Sequence, residues 1–115
     1  MAILPDDFEH EVGNLDEQVK LTVKLGDNQH VAHYILHTPD GKYHKLPFDN
    51  YEIGKGKELK GNDSKLTVVV TDTNSLTNFT SIIVTLSNKL KTEIYSKASD
   101  IDNGTVIYII TIKHR

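Results

Sequence analysis

The chain has no cysteine and no tryptophan, a single methionine and only three prolines in 115 residues. Without cysteine there is no disulfide staple, no thiolate nucleophile and no thiolate-bound zinc or iron–sulfur centre. No apolar run approaches the roughly 18–20 residues of a membrane-spanning helix, so membrane insertion is not expected. The opening Met1-Ala2-Ile3-Leu4-Pro5-Asp6-Asp7 has neither the basic start nor the apolar stretch of a signal peptide, which leaves the cytoplasm as the default compartment. A strongly basic footprint is also missing. The net charge is −3, and nucleic acid is not an expected partner. Nor is there a Gly-x-Ser-x-Gly elbow. Beyond the first 19 residues many carboxylates (Asp27, Asp40, Asp63, Asp102) fall in turn-forming stretches that explain them without catalysis. The expectation is a protein that is not an enzyme and carries no cofactor.

What is present points to β-structure. The apolar set is dominated by Ile, Val and Leu, and Thr and Asn are abundant. β-branched residues suit a pleated, half-buried surface, and Asn and Asp suit the turns between strands. The length fits one domain with one modest core. Charge divides it unevenly. Residues 1–19 carry six acids and no base, while the remaining 96 residues have a net charge of +3. Residues 1–15 therefore read as an acidic arm or a short helix, solvated or docked on a basic surface, and residues 16–115 as the β domain. The helix reading rests on Phe8, Val12 and Leu15 at i, i+4 and i+7, behind Pro5 and two acids.

From residue 19 the apolar period changes to two. Val19, Leu21, Val23 and Leu25 alternate with Lys20, Thr22 and Lys24, a strand with one face in the core. Thr38-Pro39-Asp40-Gly41 reads as a type I turn followed by a left-handed glycine. It closes a hairpin that pairs Leu36 with His44 and sets His33 and His37 outward. Tyr51-Glu52-Ile53 makes a short strand at most. Further strands are expected over 65–73, 78–87, 90–98 and 105–113. Asn103-Gly104 is expected to join the last two as a hairpin, with Tyr95 opposite Ile112. About seven antiparallel strands with frequent turns indicate a β-sandwich. In strand number and length the chain is similar to the immunoglobulin-like and fibronectin III-like sandwiches, although the Cys–Trp–Cys framework is absent.

Candidate sites are few. His33 and His37 lie about 13 Å apart along a strand, too far for one metal ion, and no metal site is expected. The Gly54-Lys55-Gly56-Lys57 stretch lacks the order of a phosphate loop. Asp100-Ile101-Asp102-Asn103-Gly104 lacks the later glycine and the glutamate of a calcium loop. The last strand is more informative. With Val106, Tyr108, Ile110 and Ile112 facing inward, Ile107 and Ile109 face out. A hairpin partner would add Ile94 and Ala98 to the same outer face; such a contiguous apolar patch either marks an interface or is covered by the acidic N-terminal segment through Phe8, Val12 and Leu15. This gives the leading expectation: a non-enzymatic interaction or structural module that binds a protein partner, or itself, through the last hairpin. The alternative is a small-ligand or carbohydrate-binding sandwich, with Tyr43, Tyr51, Lys55 and Lys57 as the candidate ligand or anion contacts.

Overall fold

The computed structural model describes residues 2–26, 30–72, 80–88, 91–99 and 104–115. In chain order the strands are β1 (Ala2–His10), β2 (Gln18–Leu25), β3 (His30–His37), β4 (Tyr43–His44) and β5 (Tyr51–Lys55). A short helix, α1 (Gly56–Leu59), precedes β6 (Asp63–Asp72), β7 (Thr80–Ser87), β8 (Thr92–Ser99) and β9 (Thr105–His114). They form two packed sheets, a five-stranded one ordered β1-β9-β6-β3-β4 and a four-stranded one ordered β5-β2-β7-β8. All pairings are antiparallel except β1 with β9.

The alternation read from the sequence decides which side chains meet between the sheets. Val19, Leu21 and Val23 of β2 and Ile82, Val84 and Leu86 of β7 pack against Leu66, Val68 and Val70 of β6 and Val106, Tyr108, Ile110 and Ile112 of β9. Each such side chain contributes about 1.5–3 kcal/mol by leaving water. Leu36, Phe48, Ile53 and Leu59 complete the cluster. The turn after β3 forms as expected: Gly41 N donates to the Thr38 carbonyl at 3.0 Å, and Gly41 takes a φ of 83° that favours glycine. Leu36 pairs with His44 and His37 with Tyr43, but the chain leaves the sheet after His44, so the expected second arm of the hairpin shrinks to two residues.

Three expectations need correction. Among the described residues there are nine strands rather than about seven, the additions being β1 and β5. Residues 1–15, read as an acidic arm or a short helix, instead contain β1, whose Leu4, Asp6, Phe8 and His10 point inward while Ile3, Pro5, Asp7 and Glu9 are exposed. The open edge of β9 supplies nine paired positions, from Ala2 with Val106 to His10 with His114, and this ladder outweighs a weak helical period. Pro5 is tolerated because β1 is an edge strand, where a missing N–H costs little and blunts further pairing. Last, β8 and β9 do not form a hairpin. Tyr95 lies opposite Val84, Ile112 lies opposite Ser64, and the two strands belong to different sheets. Both edges of β9 are occupied, by β1 and β6, so β8 pairs with β7 alone among the described residues. The remaining residues of the expected turn, 100–103, lie outside the described residues.

The acidic N-terminal segment docks on the protein's own bases. Asp7 meets Lys113 at 2.9 Å, Glu9 meets Arg115 at 3.6 Å, Glu11 meets Lys91 at 2.8 Å and Asp16 meets Lys57 at 3.8 Å. Asp6 is bound by Lys97 at 3.2 Å and by the Tyr95 hydroxyl, which lowers its carboxyl below the usual range. Exposed pairs of this kind add little to stability, because both charges stay solvated. Three of them, from Asp6, Asp7 and Glu9, join β1 itself to β8, to β9 and to the residue after β9.

Candidate functional site

The outer face of the five-stranded sheet is the most apolar exposed surface that the register assembles. Ile3, Ile107, Val69 and His33 form one cross-strand row, and Pro5, Ile109, Thr67 and Ile35 form the next. Ile107, Ile109, Val69 and Ile35 are half-buried by their neighbours, and Ile3 is 54% exposed. The N-terminal segment does not lie over this face. It extends the face sideways as a fifth strand, with Phe8 turned to the core side and Val12 buried. Charged side chains bound the patch at one end, where Asp7, Thr111 and Lys65 follow in register and Glu9, Lys113 and Asp63 come after them.

Ile94 and Ala98 are not part of this patch. They sit on β8, opposite Thr85 and Ser81, on the outer face of the other sheet. Ile94 is 68% exposed there, two residues along from the level of the partly exposed Ile83. The sequence grouping of Ile94 and Ala98 with Ile107 and Ile109 depended on a hairpin, and the change of sheet between β8 and β9 divides the four residues between opposite faces.

The four candidate ligand contacts are also spread out. Tyr43 is 66% exposed on the outer face of the five-stranded sheet, its ring 4.2 Å edge-on from His37. Tyr51 is half-buried on β5. Its hydroxyl lies 2.7 Å from His44 Nδ1, and its ring packs on Phe48. Lys55 ends β5 and is exposed, and Lys57 in α1 faces Asp16. A depression of about 570 Å³ near this end is lined by Asp16, Glu17, Lys20 and Glu52 among others, with no aromatic wall on which a sugar ring would stack. Among the described residues there is no group of three or more His, Asp or Glu able to hold a metal ion.

One cluster has no counterpart in the sequence reading. At the end of the molecule where β1 and β9 finish, His10 Nδ1 lies 2.7 Å from His114 Nδ1, and His114 Nε2 lies 2.7 Å from Ser64 Oγ. All three residues are buried. Burial lowers His10 below its ordinary value and takes His114 down to about 4. The distances are those of a hydroxyl nucleophile, a base and an orienting group. Ser64 nevertheless exposes no surface, so its hydroxyl cannot meet a substrate in this arrangement. The signal available in the sequence was parity. Val106, Tyr108, Ile110 and Ile112 face inward, and one more step places His114 on the same side.

Comparison with family models, with curated proteins and with solved structures gives no match.

Proposed function

We propose that the protein is a non-enzymatic interaction module, a β-sandwich of general immunoglobulin-like or fibronectin III-like kind, that docks a protein partner or a second copy of itself through the outer face of its five-stranded sheet. The observation that carries this reading is the pair of adjoining rows Ile3–Ile107–Val69 and Pro5–Ile109–Thr67–Ile35 on a face that nothing else among the described residues covers. An apolar surface built across four strands, bounded by charge at one end, has the layout of an interface core and rim. The carbohydrate alternative draws less support, because Tyr43 and Tyr51 belong to different sheets and the acidic depression has no ring at its wall.

Sedimentation of the intact chain over a wide concentration range tests self-docking. Association is expected that Ile107→Lys with Ile109→Lys abolishes and Ile94→Lys, on the opposite layer, leaves unchanged. Loss of association with Ile94→Lys would move the interface to the other sheet. A chain that stays monomeric at all concentrations, and whose Ile107 and Ile109 variants gain solubility without losing any binding, would remove the support for this face.

A further inference from the structure

The Ser64–His114–His10 cluster sits where the first and last strands end. His10 and His114 are the closing residues of β1 and β9 and are paired in register. Their rings meet edge to face with centroids 5.0 Å apart. Around them Arg115 N donates to the His10 carbonyl, and Val12 N donates to the Arg115 carbonyl, both at 2.8 Å. His10 is 4% exposed and His114 1%. Two imidazoles joined Nδ1 to Nδ1 hold one proton between them. One ring donates, the other accepts, and both are neutral. Ser64 adapts to either tautomer, accepting from His114 Nε2–H or donating to the bare nitrogen.

Acid has no comfortable place to go here. A first added proton puts a full charge in a buried site where, among the described residues, neither ring has a carboxylate hydrogen-bond partner. A second puts an N–H on both facing nitrogens and turns the bond into a collision. The charged groups whose fields reach the pair come from β8 and the residue before it: Glu93 favours a charged His10, and Lys91 opposes it. From β6 the pair receives only the uncharged Ser64 hydroxyl.

We propose that these three residues form a pH-operated latch on the N-terminal strand, and that mild acid releases β1 from β9 while the two-sheet body remains folded. β1 is the releasable element because it lies at the edge of its sheet, bonded on one side only among the described residues. Of its ion pairs, those of Asp7 with Lys113 and Glu9 with Arg115 lie on the exposed side of the strand, while two other carboxylate ties are held out of this window. Tyr95 and Lys97 hold Asp6, and Lys91 holds Glu11, each below the usual carboxylate range, so these carboxylates keep their charge while the histidines change. Phe8 stacked on Tyr95 at 5.2 Å is insensitive to acid in this range. The other described histidine side chains, His33, His37 and His44, are on β3 and β4 at the far edge of the same sheet.

A released His114 regains the ordinary value of 6.5 from about 4. Acidification across that interval therefore favours the open form by up to about 300-fold. The test follows amide exchange and imidazole resonances of the intact, isotope-labelled protein from pH 7.5 to 4. The amides of β1 are expected to lose protection with the same midpoint as the His114 ring, while those of β6 and β7 stay protected. Protection lost from β1 and β6 together would mean global unfolding and overturn the latch, as would a β1 still protected at pH 4. The double variant His10→Leu, His114→Phe replaces both partners by apolar groups and should keep β1 in place at pH 4.5. Release at the wild-type midpoint in that variant would assign the effect to the carboxylates and overturn the proposal. If the variant does not fold, the coincidence of midpoints in the wild-type titration decides alone.

Discussion

Replacing Tyr108 by Phe removes one oxygen from the middle of the core, and its cost can be worked out in advance. Tyr108 lies on β9 in one sheet and Thr80 begins β7 in the other, both with essentially no exposed surface. The Tyr108 hydroxyl is 2.7 Å from Thr80 Oγ1 and 3.1 Å from the Thr80 carbonyl, a polar tie across an otherwise apolar interior. Tyr108→Phe keeps the ring packing and leaves the Thr80 hydroxyl and carbonyl without that partner, which costs about 1–3 kcal/mol. Thr80→Val keeps the side-chain shape, and the tyrosine can still donate to the carbonyl of residue 80, so the cost falls to about 1 kcal/mol. The double variant should cost less than the sum by about 1 kcal/mol, the coupling of two groups in contact. Urea unfolding followed by far-ultraviolet circular dichroism measures this. With a slope of about 1–3 kcal/mol per molar, a loss of 2 kcal/mol moves the midpoint by roughly 1 M. Strict additivity in the double variant, or a Tyr108→Phe protein as stable as the parent, would refute the cross-sheet tie.

Two further outcomes follow from the geometry. A side chain added at Gly56 would stand 2.5 Å from the Asn14 carbonyl oxygen and 2.9 Å from Val12 Cγ1, so Gly56→Ala should lower stability by about 1–3 kcal/mol in the same assay, whereas Gly61→Asn, in open space at a φ of 84°, should cost far less. Global stability should also depend on pH through His114. Its folded value is depressed, so the unfolded chain binds more protons between pH 6.5 and about 4; the stabilisation is complete above 6.5 and lost as pH falls, by about 3 kcal/mol at most. Urea midpoints equal at pH 7 and pH 4.5 would contradict this.

Where local chemistry settles structure, the sequence was a reliable guide. The strict alternation from Val19 to Leu25 placed β2 and its inner face, because a period of two has one solution when one face must be dry. Thr38-Pro39-Asp40-Gly41 fixed a turn and with it the opposition of Leu36 and His44, since Pro holds its own φ in the turn range and Gly alone readily takes the positive φ that closes it. The inward set of β9 was legible for the same reason as that of β2.

What failed depended on partners distant in sequence. Nothing within residues 2–10 says that β9, more than a hundred residues on, offers an open edge, and a mixed run such as Leu4, Asp6, Phe8 and His10 becomes a strand only when that edge is there to complete its hydrogen bonds. The Asn103-Gly104 signal was read as joining two strands that pair with each other, yet it precedes a strand already bordered on both sides by β1 and β6. That one topological fact moves Ile94 and Ala98 to the opposite face and leaves Ile107 and Ile109 with Ile3, Pro5, Val69 and Ile35 as neighbours. The same fact explains the histidine cluster. β1 brings His10 to the end of β9, β6 brings Ser64 to its other side, and His114 between them has, among the described residues, these two polar partners for its ring. A histidine that continues an apolar alternation is thus a sign that another polar residue must arrive from elsewhere in the chain to satisfy it, and the strands that deliver it are those whose removal would uncover it.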